Sequence, residues 1–180
     1  MTGPAGEAGP APEITVAEDT PTSYRISFKS GTQEVTSPNL IPAIETHNVD
    51  LSALNSTIDI PVGNLILTIQ NTSTTSVRYS VRSENTAAAV LADIRRTSIY
   101  NAGTIEAQTL NNTSISTAQV IDDLVYSQSQ ETHWIKIRQQ DPDTKLWSMC
   151  TIHSFISQNA ARTSVSIEWL YTDAAFTAPS

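Results

Sequence analysis

Cysteine is nearly absent from this chain: Cys150 is the only one in 180 residues, so no intrachain disulfide can staple the fold. It lies in Leu146-Trp147-Ser148-Met149-Cys150-Thr151-Ile152, an apolar strand pattern in which a cysteine acts as a small buried hydrophobe rather than a nucleophile. Positive charge is scarce as well. Ten Lys and Arg stand against 18 Asp and Glu, a net charge of −8, whereas a phosphate-binding surface needs a stripe of Lys and Arg. The nearest basic cluster, Arg95-Arg96, is too short to serve, and this excludes nucleic acid as a partner. No apolar run approaches the ~18 residues of a membrane span, and no charged-then-apolar leader opens the chain, so no membrane insertion is expected.

Catalytic signatures are missing in the same way. His47, His133 and His153 show neither HxH nor HExxH spacing, and there is no glycine-rich phosphate loop or GxSxG elbow. Asp122-Asp123 and Asp141/Asp143 can be weighed as a glycosidase pair or a calcium site. The first pair reads better as a polar loop and the second as turn chemistry around Pro142. The expectation is a non-enzyme with no catalytic residue, no metal site and no cofactor.

What the chain has in quantity is Ser and Thr, a quarter of all residues, while only 16% are charged. That mixture describes a polar, β-rich surface. The Asn-X-Ser/Thr matches at Asn55, Asn71, Asn111 and Asn112 follow from this composition and are not read as glycosylation sites. Strand patterns succeed one another: Tyr24-Ile26-Phe28 alternates with polar residues, Ile58-Ile60 precedes a turn at Pro61-Val62-Gly63-Asn64, and Leu65 to Ile69 is apolar on both faces. Val77, Tyr79 and Val81 alternate after a turn at 71–75, and repeated short strands of this kind predict a sandwich or barrel. One helix is expected over 87–96, capped by Asn85, with Val90, Leu91 and Ile94 on one face. The segment 98–129 is ambiguous, anchored by Val120, Ile121, Leu124, Val125 and Tyr126.

The last third predicts a meander of strands over 132–138, 146–158 and 162–171. Turns centred after Pro142 and after Asn159 set Ile135 opposite Cys150, Cys150 opposite Trp169 and Ile152 opposite Ile167. One face then collects Ile135, Ile137, Leu146, Cys150, Ile152, Val165, Ile167, Trp169 and Tyr171, a sandwich core. The other collects Trp134, Lys136, Arg138, Trp147, Met149, His153, Phe155, Glu168 and Leu170, too apolar for an uncovered sheet face. Three roles suit it. It can pack on another part of the domain, or form a subunit interface through Trp134, Trp147, Met149, Phe155 and Leu170. It can also bind a receptor, with Trp134 and Trp147 stacking on sugar rings and Arg138 supplying hydrogen bonds.

Glycine is rare, six in all, yet three stand at strict three-residue spacing: Gly3-Pro4-Ala5, Gly6-Glu7-Ala8, Gly9-Pro10-Ala11, then Pro12. Only glycine fits the axis of a collagen triple helix, so this grammar implies three chains; a flexible linker is the bland alternative. Three triplets cannot hold a triple helix alone. The expected organisation is a collagen-like stub at 1–12, left from a longer stalk, a connector at 13–23, and a β-sandwich domain at 24–180 that itself holds the trimer together.

The GPAGEAGPAP stub feeding an acidic, Ser/Thr-rich β domain that closes on SVSIEWLY (164–171) resembles the distal part of bacteriophage tail fibres with collagen-like stalks. The resemblance covers the whole chain as an order of parts. It implies a homotrimeric, jelly-roll-like antiparallel β-sandwich, carried on the virion, that binds a host bacterial surface receptor, a polysaccharide or an outer-surface protein. Two alternatives are a capsule polysaccharide-degrading enzyme of a phage particle and the globular tip of a bacterial collagen-like surface or spore-coat protein. Complement-type heads share the layout, but the cysteine deficit makes a secreted animal protein the poorest match.

Overall fold

The computed structural model describes residues 11–20, 23–40, 44–73, 76–100, 103–123, 130–157 and 161–175. The triplets at Gly3, Gly6 and Gly9 lie outside the described residues, as do Leu124, Val125 and Tyr126. Among the described residues the chain is all-β, built of antiparallel sheets, in two compact units, Met1–Pro42 and Ala43–Ser180.

The first unit is a three-stranded sheet of β1 (Glu13–Thr20), β2 (Ser23–Ser30) and β3 (Gln33–Thr36), in that order. The segment 13–23, expected as a connector, is therefore mostly strand. Its acidic residues disguise an alternation of Ile14 and Val16, which stand opposite Phe28 and Ile26 of β2 and gain a pairing partner there. The boundary between compact units follows Pro42 instead of residue 23.

Among its described residues the second unit holds ten strands: β4 (Ile44–Asp50), β5 (Thr57–Val62), β6 (Leu65–Ser73), β7 (Ser76–Ser83), β8 (Val90–Tyr100), β9 (Thr104–Ile115), β10 (Gln119–Asp122), β11 (Glu131–Gln140), β12 (Trp147–Ile156) and β13 (Arg162–Ala174). They form a four-stranded sheet, β10-β7-β6-β5, and a six-stranded one, β4-β13-β12-β11-β8-β9. The inner faces share one core. Ile60, Leu65, Leu67, Ile69, Tyr79 and Val81 of the smaller sheet are fully buried with Ile135, Ile137, Cys150, Ile152, Val165 and Ile167 of the larger. Each such aliphatic side chain contributes roughly 1.5–3 kcal/mol on burial, which makes this two-sheet core the main source of stability. Cys150 is buried there, and burial pushes its thiol up to about 12, so it is the inert hydrophobe its sequence context predicted.

The helix expected over 87–96 does not form. Residues 85–88 make a turn, with the Asn85 side chain accepting from the Ala87 amide (3.1 Å) and its carbonyl from Ala88 (2.9 Å). From Val90 onward the chain is strand, with Val90, Ala92, Ile94, Arg96, Ser98 and Tyr100 inward. Val90 and Ile94 fit both periods while Leu91 fits only the helical one, and the strand wins because β8 is paired on both edges, by β9 and β11. The ambiguous segment 98–129 supplies β9 and β10. Jelly-roll wiring is also not what the sheets display: neighbours are mostly strands consecutive in sequence, β5-β6-β7 and β11-β12-β13.

The meander predicted for the last third is present, with one register correction. Ile135 stands opposite Ile152 and Ile137 opposite Cys150, two residues from the expected pairing. The cause lies in the 141–146 loop, where Asp141 Oδ1 accepts from the amides of Asp143 (2.9 Å) and Thr144 (2.6 Å) and Lys145 turns left-handed at φ 63°. This moves the turn centre one residue along. A slip of two preserves the face of every side chain, so the core face stands as expected up to Trp169. The second pairing, Cys150 with Trp169 and Ile152 with Ile167, matches the expected register.

Candidate functional site

The outer face of the six-stranded sheet gathers the residues that sequence reasoning singled out. Trp134, Lys136 and Arg138 come from β11, and Met149, His153 and Phe155 from β12, with Trp147 at the start of that strand. Leu170 sits at a β13 irregularity, where Cys150 pairs with Trp169 but Met149 pairs with Tyr171. The apolar groups do not form one continuous patch. Trp134, 38% exposed, meets His153 edge-on at 5.8 Å, and Phe155, 41% exposed, is its diagonal neighbour. Trp147 and Met149 lie at the other end. Between them runs the cross-strand row Arg95, Lys136, Thr151, Glu168, polar throughout.

At the Trp147 end four strands build a groove of about 510 Å³. Arg138 lies over the Trp147 ring, its guanidinium carbon 3.9 Å from the ring centre. Its Nη1 donates to Asp93 Oδ2 at 3.0 Å, and the other Asp93 oxygen accepts from the Asn112 amide at 2.8 Å. Asn112 reaches this position because β9 is irregular beside Asp93: Ala92 pairs with Thr113, but Ile94 pairs with Leu110. Asn112 adopts φ 46° there, a conformation that asparagine tolerates better than most residues. Arg95 and Lys136 also line the groove, and they stand directly opposite each other on β8 and β11. Like charges in that relation oppose sheet formation. Three of the chain's ten Lys and Arg thus face one groove of an acidic protein.

Of the expected receptor-binding residues, the structure brings Arg138 and Trp147 together and leaves Trp134 at the far end of the face. Sequence reasoning missed Asp93 and Arg95 because a helix over 87–96 gives them other directions, and Asn112 because it lies in the ambiguous segment 98–129. The signal available was Asn111-Asn112 in a strand-forming, threonine-rich run, the pattern of a bulge.

A second polar cluster lies inside the fold. Arg96 Nη1 donates to Ser98 Oγ (2.6 Å) and contacts Asp122 Oδ2 (3.0 Å), and the Tyr100 hydroxyl donates to both Asp122 oxygens at 2.9 and 2.8 Å. His133 bonds Ser98 Oγ through Nδ1 (2.8 Å) and Glu131 Oε2 through Nε2 (3.2 Å). Burial lowers the affinity of His133 for its proton, but its bonds to Asp122 and Glu131 outweigh that and hold the imidazole above its usual range. For Asp122, burial favours the protonated form, yet the bond to His133 and the charges of His133 and Arg96 keep the carboxyl below its usual range. Glu131 is held above its range, mainly by burial. The order Ser98, His133, Glu131 resembles a hydrolase triad, but Ser98 is 0% exposed and its hydroxyl is committed to Asp122 at 2.9 Å. In this arrangement the cluster joins β8, β10 and β11 as a structural network.

Of the two carboxylate pairs, the first separates and the second is turn chemistry. Asp122 is buried in that network, whereas Asp123 pairs with Arg78 at 2.8 Å, and Asp141 serves its turn. His133 faces the core and His153 the outer face, as the alternation predicted.

Fold and groove together define an all-β domain of two packed antiparallel sheets with a cationic, tryptophan-flanked groove on the outside of the larger one. No protein-family model matches the chain, and neither does any curated protein or solved structure.

Proposed function

We propose that this protein is the receptor-binding tip of a phage tail fibre, a homotrimeric adhesin that holds an acidic polysaccharide of the bacterial surface in the groove beside Trp147. The observation that carries the ligand assignment is the Arg95–Lys136 juxtaposition with Arg138 alongside. Arg95 and Lys136 take part in no ion pair among the described residues, so they remain available to a uronate or phosphate on a sugar chain. Trp147 backs Arg138 beside the groove, its ring under the guanidinium, and the Asn112–Asp93–Arg138 bridge fixes that group. Asn111 and Asn112, at the β9 irregularity, line the groove and offer amide groups of the kind that hydrogen-bond sugars. The collagen grammar at Gly3, Gly6 and Gly9 supports the fibre and the three-fold assembly. Three weak sites on one stalk raise overall affinity by about 10²–10⁴ without any single strong site.

The test is adsorption of fluorescently labelled protein to bacterial strains that differ in surface polysaccharide, followed by titration with the purified polymer before and after reduction of its carboxylates. Binding should be confined to strains with an acidic polymer, weaken as salt rises, and drop at least about tenfold on reduction. Equal binding to native and reduced polymer overturns the charge assignment, and steady release of oligosaccharides overturns the adhesin reading in favour of an enzyme. Arg138→Ala and Lys136→Gln should each cost about 1–2 kcal/mol of binding, roughly 5- to 30-fold; Lys136→Gln should leave stability within about 0.5 kcal/mol of the parent, and Arg138→Ala, which also loses the Asp93 ion pair and the Trp147 contact, should lower it by about 1 kcal/mol.

A further inference from the structure

The sheet of β1, β2 and β3 has an exposed apolar side. Ile14 stands opposite Phe28, which stands opposite Val35, and the next row holds Val16 opposite Ile26. Because side chains alternate along a strand, these five share one face. Phe28 is 43% exposed and Val35 66%, and Ile14 and Val16 are more than half exposed. The opposite face is polar and internally satisfied: Ser27 Oγ donates to Glu34 Oε1 at 2.7 Å, Ser23 Oγ to Glu18 Oε2 at 2.8 Å, and Arg25 pairs with Glu18 at 3.1 Å. Ser27 is only 3% exposed. The polar side is bonded within itself, whereas Ile14, Val16, Phe28 and Val35 on the other side stand exposed in a single chain. A three-stranded sheet needs a packed apolar face to persist, and a continuous exposed patch of this kind marks an interaction surface.

We infer that this face is the surface through which three copies of the chain assemble, each sheet laying Ile14, Val16, Ile26, Phe28 and Val35 against those of its two neighbours around a three-fold axis. The occupant is set by what precedes β1. The Gly3, Gly6 and Gly9 triplets end in Pro10-Ala11-Pro12, and β1 begins at Glu13. Ile14 lies three residues beyond Ala11, a span of about 10 Å at full extension. A triple helix holds its three chains side by side, so three copies of β1 leave it close together and in matching orientation. A sandwich face with polar rows needs no such partner, but this five-residue face does. Closed cyclic symmetry then lets one patch per chain satisfy all three contacts. The inference rests on the trimeric part of the proposed function and adds to it that the first unit, not the outer face of the sandwich, holds the trimer.

Sedimentation equilibrium of the full chain at micromolar concentration, with variants on both faces, tests this. The parent should weigh three times 19.5 kDa. Phe28→Glu should sediment as a 19.5 kDa monomer with its strand circular dichroism retained, and Val35→Lys, a milder change at a more exposed site, should dissociate on dilution. Trp147→Glu should stay trimeric. If Phe28→Glu fails to fold, Val35→Lys decides. Trimers in both first-unit variants, or a monomeric Trp147→Glu, overturn the placement, and a monomeric parent overturns the assembly. The polysaccharide titration separates the two readings: a monomeric parent that binds keeps the ligand assignment, and a trimer that binds nothing keeps only this one.

Discussion

Replacing Asp122 with alanine will destabilise the fold by about 3–5 kcal/mol, read as a fall in the urea midpoint at unchanged slope. The Arg96 guanidinium is 6% exposed and has Asp122 Oδ2 at 3.0 Å as its buried counter-charge. Its remaining carboxylate, Glu106, is 3.7 Å away and 44% exposed, too solvated to compensate. Alanine also strips the Tyr100 hydroxyl and Ser98 Oγ of their acceptor. An unpaired buried charge costs more than the pair contributed. The double variant Asp122→Leu with Arg96→Met should therefore be more stable than Asp122→Ala alone, and a double variant that is less stable would defeat this account.

The same network sets the pH response. His133 is held above its ordinary 6.5, so its contribution is complete below pH 6.5 and is lost as pH rises through its folded value. Glu131 is raised above 4.5 and acts in the same direction, its charged form being the one the fold disfavours. Asp122 is lowered below 3.8, so it contributes above that pH and fails as pH falls through its folded value. Urea midpoints should be highest near pH 4 to 4.5, begin to fall as pH rises past 4.5 because of Glu131, and fall further above 6.5 because of His133. Asp122→Ala, which removes one of the groups that hold the proton on His133, should flatten that decline. An alkaline slope unchanged in the variant would separate His133 from Asp122.

The second large effect is expected at Gly63. It lies in the two-residue turn between Val62 and Leu65 with φ +61°, where a residue with a Cβ is strained. A Cβ there would stand 2.7 Å from Gln139 Nε2, and that amide cannot give way cheaply. Buried Gln139 donates to the Val62 carbonyl at 2.8 Å and accepts from the Asn64 amide at 2.9 Å, tying β11 of one sheet to the β5–β6 turn of the other. Gly63→Ala should cost about 2–5 kcal/mol, the sum of left-handed strain and a displaced buried amide. In a Gln139→Ala background the same change should cost only the strain, about 1–2 kcal/mol. Equal costs in both backgrounds would show that the amide yields freely.

Most strands were legible because their periodicity is local. Tyr24-Ile26-Phe28, Val77-Tyr79-Val81 and Ile135-Ile137 alternate in the sequence as they do in the sheets. The helix expectation failed where three alanines and two overlapping apolar spacings left the period undecided, and pairing by β9 and β11 decided it. The connector expectation failed because Ile14 and Val16 carry too little apolar signal among acidic neighbours until β2 lies beside them. At the candidate site, Arg138 and Trp147 were visible as residues of one face, an even-spacing argument that survives a two-residue slip. Asp93 and Asn112 were not, since their approach depends on the irregular pairing of β8 with β9.

The sequence by itself determined the all-β class, the inertness of Cys150, the two faces of the last three strands and, through Gly3, Gly6 and Gly9, the collagen grammar at the start. These are properties of composition and of two- and three-residue periods, which a chain carries wherever it folds. Tertiary structure decided the burial of Arg96, Asp122, Glu131 and His133 together, the opposition of Arg95 to Lys136, and the shared exposed face of Ile14, Phe28 and Val35. The first two join residues from strands distant in sequence, and the third depends on how neighbouring strands pair; in each case register is set by packing and hydrogen bonding across the sheet, not by any local preference of the residues that meet there.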